Sequence, residues 1–369
     1  MAELYIGLMS GTSADGIDAA LVEVPHHRPR FIRGHFLAYP DRFRRRLLDL
    51  AHCTSTPLET LYALDAELGE LLADASEALL AASDLKAAEI RAIGSHGHTI
   101  RHRPDASPAF SAQIGDPSRI AERLRRPVVA DFRRRDIAAG GQGAPLAPAM
   151  HDACLRSRDE FRAVLNLGGI ANLTLLPGDA GTAAIGFDSG PASCLMDYWI
   201  DLQRGQRFDA GGAWAAQGEC LPGLLHELLA DEYFARPPPK STGREHFSPD
   251  WLQARLDGYR AARAEDVQAT LLELSARSVV DALRGSAPGC ERLLVCGGGA
   301  HNARLMARLG ALAEGIRVES TAAAGWDPDW IEATCFAWLA SRTLAGRAGN
   351  LPAVTGATAP LVLGAIHPG

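Results

Sequence analysis

One pattern constrains the fold of this chain more than any other: a short apolar run breaks into a polar, glycine-bearing turn and then resumes, and it does so twice. Near the start, Tyr5-Ile6-Gly7-Leu8-Met9 leads into a turn that carries Gly11, Thr12, Ser13, Ala14, Asp15, Gly16, Ile17 and Asp18, and the apolar run resumes at Ala19. In the second half, Val164-Leu165-Asn166-Leu167 leads through Gly168-Gly169 into Ile170-Ala171-Asn172-Leu173-Thr174-Leu175-Leu176. Apolar runs on either side of a tight polar turn read as strand, turn, strand. Backbone N–H groups, hydroxyls and carboxylates gathered at one tip suit a phosphate chain with its magnesium ion. The same residue types also build ordinary hairpin turns. Duplication of an α/β unit would place both turns at one interdomain cleft; coincidence of common turn chemistry is the alternative.

At 369 residues the chain is long enough for two domains of about 150 residues each. Further apolar runs alternate with helical patterns, which points to α/β architecture. Phe31 to Tyr39 reads as a third strand. Leu58 to Ala82 carries Leu61, Leu64, Leu68, Leu71, Leu72, Ala75 and Leu79 at helical spacing, a core-facing stripe. Ile90 to Ile93 and Pro127 to Ala130 read as short strands, the first ending in a loop with Ser95, His96, Gly97 and Thr99. A last helix spans about Asp329 to Ala345, with Glu332 as the acid of its first turn. The expected division is a first lobe over residues 1–131, a second over 132–345, and a terminal segment 346–369 that packs back on the first.

A net charge of −7 argues against a nucleic-acid surface, which usually carries a basic excess. The seven cysteines show no C-x-x-C spacing, so neither a zinc site nor a disulfide framework is expected, and a reducing cytoplasm fits best. No basic segment followed by an apolar one marks a signal peptide, and no window approaches a membrane span, so no membrane partner is expected.

Three more segments carry chemistry. Ala183 to Phe187 feeds Asp188-Ser189-Gly190-Pro191 and then a helical pattern, which places Asp188 at a helix entry, either as a cap or as a functional carboxylate held ionised there. Leu293 to Cys296 feeds Gly297-Gly298-Gly299 and another helix, a form that lets backbone approach a ligand closely. Neither the dinucleotide fingerprint nor the Walker motif is present. Pro237-Pro238-Pro239-Lys240-Ser241-Thr242-Gly243-Arg244-Glu245 reads as a linker or as a substrate or phosphate loop.

Taken in order, these segments resemble the anhydro-N-acetylmuramic acid kinase family nearly end to end. The residues that carry the resemblance are Leu8 to Asp18, Ser95-His96-Gly97-x-Thr99, Ala130 to Asp136, Gly140 to Leu146, Asn166 to Asn172, Gly186 to Pro191, Pro239 to Glu245, Cys296 to Gly299, Glu332 to Ala340 and Thr355-Gly356-Ala357. Two positions depart from the family's usual residues: His98 stands where Gln is usual, and Ser193 where Asn is usual.

The resemblance implies two ribonuclease-H-like lobes of the actin-like ATPase fold around a nucleotide cleft. It implies cleavage of a 1,6-anhydro sugar ring by water, coupled to transfer of a phosphoryl group from ATP to O6, in the recycling of cell-wall peptidoglycan. Asp188 becomes the base that activates water. Gly11 to Asp18 would hold the β and γ phosphates, with Asp15 or Asp18 orienting Mg2+ through water. Asn166, Gly168, Gly169 and Asn172 would face them, and Gly297, Gly298 and Gly299 would line the adenosine. Ser95, His96, Gly97, Thr99, Arg133, Asp136 and Gly141 become the sugar contacts, and Glu332 a candidate metal or water ligand. A homodimer is what the family suggests. A kinase for another sugar, or a nucleotide switch without a small substrate, are the alternative readings.

Overall fold

A computed structural model describes every residue except Met1, Ala2, Thr12 and Ala180, and all but the side chain of His52. It contains two compact units: residues up to Cys154 together with Trp330–Gly369, and Leu155–Asp329. Each has its own apolar core.

The first unit is built on strands β1 (Leu4–Ser10), β2 (Gly16–Glu23), β3 (Arg30–Ala38), β4 (Ile90–Arg103), β5 (Phe110–Ile114) and β6 (Val128–Ala130). The second holds β7 (Arg162–Leu167), β8 (Ile170–Leu176), β9 (Ile185–Pro191), β10 (Arg292–Cys296) and β11 (Arg317–Ser320). The chain then returns to the first unit and closes with β12 (Ala365–His367), which pairs antiparallel with β6.

The two sheets share one plan. In the first, β3-β2-β1 is an antiparallel meander, and β4 and β6 add parallel to β1 in turn. In the second, β9-β8-β7 is the meander, and β10 and β11 add in parallel. A three-strand meander extended by parallel strands is the ribonuclease-H-like plan that the family resemblance implied. The parallel strands are covered on both faces, which is why β1 and β10 read as unbroken apolar runs.

Helix Leu58–Ala82 forms over the expected residues, and its stripe of Leu64, Leu68, Leu72, Ala75 and Leu79 is wholly buried. Helix Ile331–Leu344 also forms close to its expected bounds, but in the other unit. The sequence assigns it to the second lobe, yet it packs on β1 and β4. A Cβ built on Gly7 would stand 1.8 Å from the Ala333 carbonyl oxygen, and one on Gly94 would stand 1.9 Å from that of Phe336. The unit edges therefore fall after Cys154 and after Asp329, not after residues 131 and 345. The helices Arg134–Ala138 and Ala147–Leu155 begin beyond β6, so the first unit extends past its last central strand.

Two further expectations change. β4 runs through Arg103, because β5 pairs with its second half, so Ser95 to Thr99 lie in a strand and not in a loop. Asp188 lies inside β9, paired with Asn172, and the next helix starts only at Cys194 with Ser193 as its N-cap residue. Among the described residues no helix is long and apolar enough to cross a membrane.

The backbone contact of Gly7 yields a prediction. Gly7→Ala should lower the stability of the first unit by about 2–3 kcal/mol through overpacking, read as a lower denaturation midpoint.

Candidate active site

In each unit the residues singled out from the sequence gather at the C-terminal ends of the parallel strands, where open α/β sheets bind ligands. In the second unit, β7 ends at Asn166 and Leu167, and β10, in register with it, pairs Cys296 with Asn166. The Gly297–Gly299 segment follows at that end, and Gly297 N–H donates to the Pro328 carbonyl. The β7–β8 turn at Gly168-Gly169 is fixed from the other side. Gly169 carbonyl accepts from the N–H groups of Ala192 (3.0 Å) and Cys194 (3.1 Å), and Gly168 carbonyl from Ser193 (3.1 Å).

Asp188 sits beside this turn in the sheet and is 7% exposed. Its carboxylate accepts from three donors: the Asn172 side-chain amide on Oδ1, and on Oδ2 the Ser241 hydroxyl (3.0 Å) and the Thr242 backbone N–H (2.9 Å). Its backbone is held as well. The N–H donates to Lys240 carbonyl (3.0 Å), and its own carbonyl accepts from the Tyr233 hydroxyl (2.7 Å). Residues 240–242 thus lie beside Asp188 and hold both its backbone and its carboxylate.

Burial pushes the Asp188 carboxyl above the usual carboxylate range, against the pull of Thr242, Asn172 and Ser241; the nearby Glu245 charge adds to the rise. This corrects the expectation that a helix N-terminus holds Asp188 ionised. Desolvation raises its proton affinity, and three donors moderate that rise.

The sequence marks the 237–245 loop but does not connect it to Asp188. Tyr233, Ser241 and Thr242 were missed as its partners. Only the density of Lys, Ser, Thr and Arg after three prolines hinted at them.

In the first unit, at the β1–β2 connection, Ala14 N–H donates to Gly11 carbonyl (3.1 Å), and the Ser13 hydroxyl to Asp15 (2.6 Å). Thr12 lies outside the described residues. Gly16, Ile17 and Asp18 already belong to β2, with Asp18 opposite Met9. Ser10, the last residue of β1, accepts from the Tyr39 hydroxyl (2.7 Å) and pairs with His98 Nδ1 (2.9 Å). His98 therefore has a structural partner at the base of the turn.

Of the expected sugar contacts, the half-buried Arg133 and the buried His96 form one cluster. Nε and Nη2 of Arg133 lie 3.1 and 2.9 Å from His96 Nε2, and Nη1 donates to Gly143 carbonyl (2.8 Å). His96 Nδ1 meets the Gly97 carbonyl at 3.0 Å. Burial and the Arg133 charge hold His96 well below the usual histidine range, so it is the neutral acceptor of the arginine. Burial lowers Arg133 to about 10. Ser95 is buried, with a hydroxyl that has no partner among the described residues. Thr99 Oγ1 accepts from Gln113 (3.0 Å).

Glu332 is half-buried near Arg133; desolvation raises its carboxyl and the guanidinium lowers it. Its charge partner is thus a cation. Among the described residues no group of three or more His, Cys, Asp or Glu side chains is placed to hold a metal ion.

Asp136 differs from its expected role. It is fully buried, and its carboxylate accepts from Gly143 N–H (2.8 Å), the Asn350 amide (2.7 Å) and the Thr355 hydroxyl (2.8 Å). Gly141 N–H donates to Asp136 carbonyl (2.9 Å). Asp136 ties the segment after β6 to the chain's last forty residues, and its oxygens are occupied by the protein itself.

A family model described as anhydro-N-acetylmuramic acid kinase matches residues 3–369. Curated relatives with that name match along the full length. The protein of Xanthomonas axonopodis pv. citri is 56% identical over 374 residues, covering 99% of this chain and 98% of its own. That of Xanthomonas campestris pv. campestris is 55% identical over 370 residues, covering 99% and 97%. That of Pseudomonas putida is 51% identical over 367 residues, covering 99% of each.

Asp136→Ala would strand three buried donors. It should lower stability by about 3 kcal/mol, as measured by chemical denaturation. A sugar contact would instead raise the KM for sugar and leave stability unchanged.

Proposed function

The chain belongs to the anhydro-N-acetylmuramic acid kinase family, and from that premise we propose the reaction it performs and the residues that perform it. Water adds to the anomeric carbon of 1,6-anhydro-N-acetylmuramic acid and the bond from that carbon to O6 breaks. O6 takes the γ-phosphoryl group of ATP, leaving N-acetylmuramate 6-phosphate, ADP and a proton. The full-length match to the family carries this reading. The product enters the recycling of cell-wall peptidoglycan.

Asp188 is the base that takes the proton from water. Opening a glycosidic bond with inversion normally needs a base for water and an acid for the leaving oxygen. Here the phosphoryl group captures the leaving oxygen, so one carboxylate suffices. What supports Asp188 is its setting: a buried carboxylate, raised in basicity by desolvation, with both oxygens aimed by fixed donors. A more basic carboxylate accepts a proton from water more readily, provided it is ionised at working pH.

Phosphoryl transfer is chiefly positioning and charge neutralisation. Gly11, Ser13, Ala14, Asp15, Gly16, Ile17 and Asp18 of the first turn, with Thr12, bind the phosphates of ATP. Asn166, Gly168, Gly169 and Asn172 do so in the second unit, and Gly297 to Gly299 line the adenosine. Mg2+ keeps most of its waters and takes one or two carboxylates with substrate phosphates, so Asp15 and Asp18, two acids flanking one turn, fit it without a larger cluster. Bound there, the ion neutralises phosphate charge. The Arg133 guanidinium, oriented by His96, and the Ser95 hydroxyl present polar groups to the sugar; Asp136 and Gly141 support them from behind.

Turnover in isotopically heavy water, followed by mass spectrometry, should place heavy oxygen on the anomeric carbon and phosphate on O6. Phosphorylation of open-ring sugars alone would favour a kinase of another specificity. Asp188→Asn should abolish sugar phosphorylation and leave ATP binding intact; full activity in that variant would remove Asp188 as the base. Because the carboxyl is raised, the acid limb of kcat/KM should fall at a pH above the ordinary aspartate value of about 3.9.

A further inference from the structure

The loop that holds Asp188 also carries an arginine whose position nothing above explains. Arg244 follows Thr242 by two residues. Its guanidinium lies directly against Gly169: a Cβ built on that glycine would come within 2.7 Å of both Nε and Nη2 and 3.1 Å of Cζ. Gly169 is the tip of the β7–β8 turn, and its carbonyl is already held by Ala192 and Cys194. The absence of a side chain at residue 169 is what lets the guanidinium reach the turn.

Arg244 lacks the partner such a group requires. Its Nε is buried and has no hydrogen-bond partner among the described residues. Burial raises Cys194 and Asp197 at the start of helix Cys194–Arg204, with the Arg244 charge pulling against it, yet among the described residues no carboxylate oxygen lies within the 4.0 Å of an ion pair. A partly buried guanidinium with an unpaired N–H is costly unless an anion completes it. The planar fork matches the two oxygens of a phosphoryl or carboxylate group.

We propose that Arg244 binds an anionic oxygen group of a substrate at the Gly168–Gly169 turn, the phosphoryl end of ATP or the carboxylate of the amino sugar. This rests on the reading of Asp188 as the base and extends it. Ser241 and Thr242 aim the base, and Arg244, on the same short loop, receives the charge. One segment of six residues, Lys240 to Glu245, then sets both the proton acceptor and the anion contact, so a substrate that engages Arg244 also orders the loop that aims Asp188.

The test uses Arg244→Ala, Arg244→Lys and Gly169→Ala in the full-length protein, with circular dichroism to confirm folding. Arg244→Ala should lower kcat/KM by about 100-fold or more. Arg244→Lys should recover little of it, because an ammonium cannot present the fork, and millimolar guanidinium ion should partly rescue Arg244→Ala. Gly169→Ala, which keeps the charge but displaces it, should show the same loss.

Calorimetry with a non-hydrolysable ATP analogue and with the anhydro sugar separates the two anions. Weakened nucleotide binding with unchanged sugar binding assigns the phosphoryl group. Weakened sugar binding, with wild type and variant equal on an anhydro sugar that lacks the carboxylate side chain, assigns the carboxylate. Wild-type turnover and both affinities unchanged in a folded Arg244→Ala variant would overturn the proposal. Activity of Asp188→Asn would overturn the base instead, and the binding measurements on Arg244 would stand apart from it.

Discussion

Backbone laid directly on backbone organises the first unit. Helix Ile331–Leu344 approaches β1 and β4 so closely that Gly7 and Gly94 have no room for a Cβ. That approach fixes what the helix brings with it. The Phe336 ring lies 4.6 Å from the ring of His96 and 5.5 Å from that of Phe132. Glu332, four residues earlier on the same helix face, reaches the neighbourhood of Arg133. The neutral His96, the half-buried Arg133 and the raised Glu332 are therefore one electrostatic arrangement, and its geometry follows from two glycines in the sheet.

The second unit is governed by a contest at Asp188. Desolvation favours the protonated acid, and three fixed donors favour the carboxylate. The outcome, a carboxyl raised but still fully hydrogen-bonded, differs from that of a carboxylate on a helix end, where the dipole would make it a weaker base. Aim and basicity come from separate sources: Asn172, Ser241 and Thr242 set the direction, and burial of the carboxyl raises its proton affinity.

Much of this was legible in the sequence, for identifiable reasons. The two turns, the Leu58–Ala82 helix and the strands of each meander are written in local periodicity and turn chemistry, which neighbours in sequence determine. The partners of Asp188 were not, because Tyr233, Ser241 and Thr242 lie 45 to 54 residues away along the chain and meet it only through tertiary pairing. The same distance effect misplaced Asp136: Asn350 and Thr355 are more than 200 residues beyond it, and without them its carboxylate looks available. Asp188 itself was found but given the wrong surroundings, since Asp-Ser-Gly-Pro reads as a helix entry while β8 supplies the pairing that keeps it a strand. The last helix was drawn correctly and assigned to the wrong unit, because helical spacing says nothing about which sheet a helix will cover.

The division of the chain has a consequence for its synthesis. The second unit, Leu155–Asp329, is one uninterrupted segment, whereas the first needs both Met9's strand and a helix that begins at Ile331. On the ribosome the chain emerges from its N-terminus, so the first sheet appears early but lacks the helix that covers β1 and β4 until residues 331–344 have been made. The second unit can therefore complete its core before the first, and the opening hairpin waits, with the face that Ile331–Leu344 covers still bare, for that helix to be made.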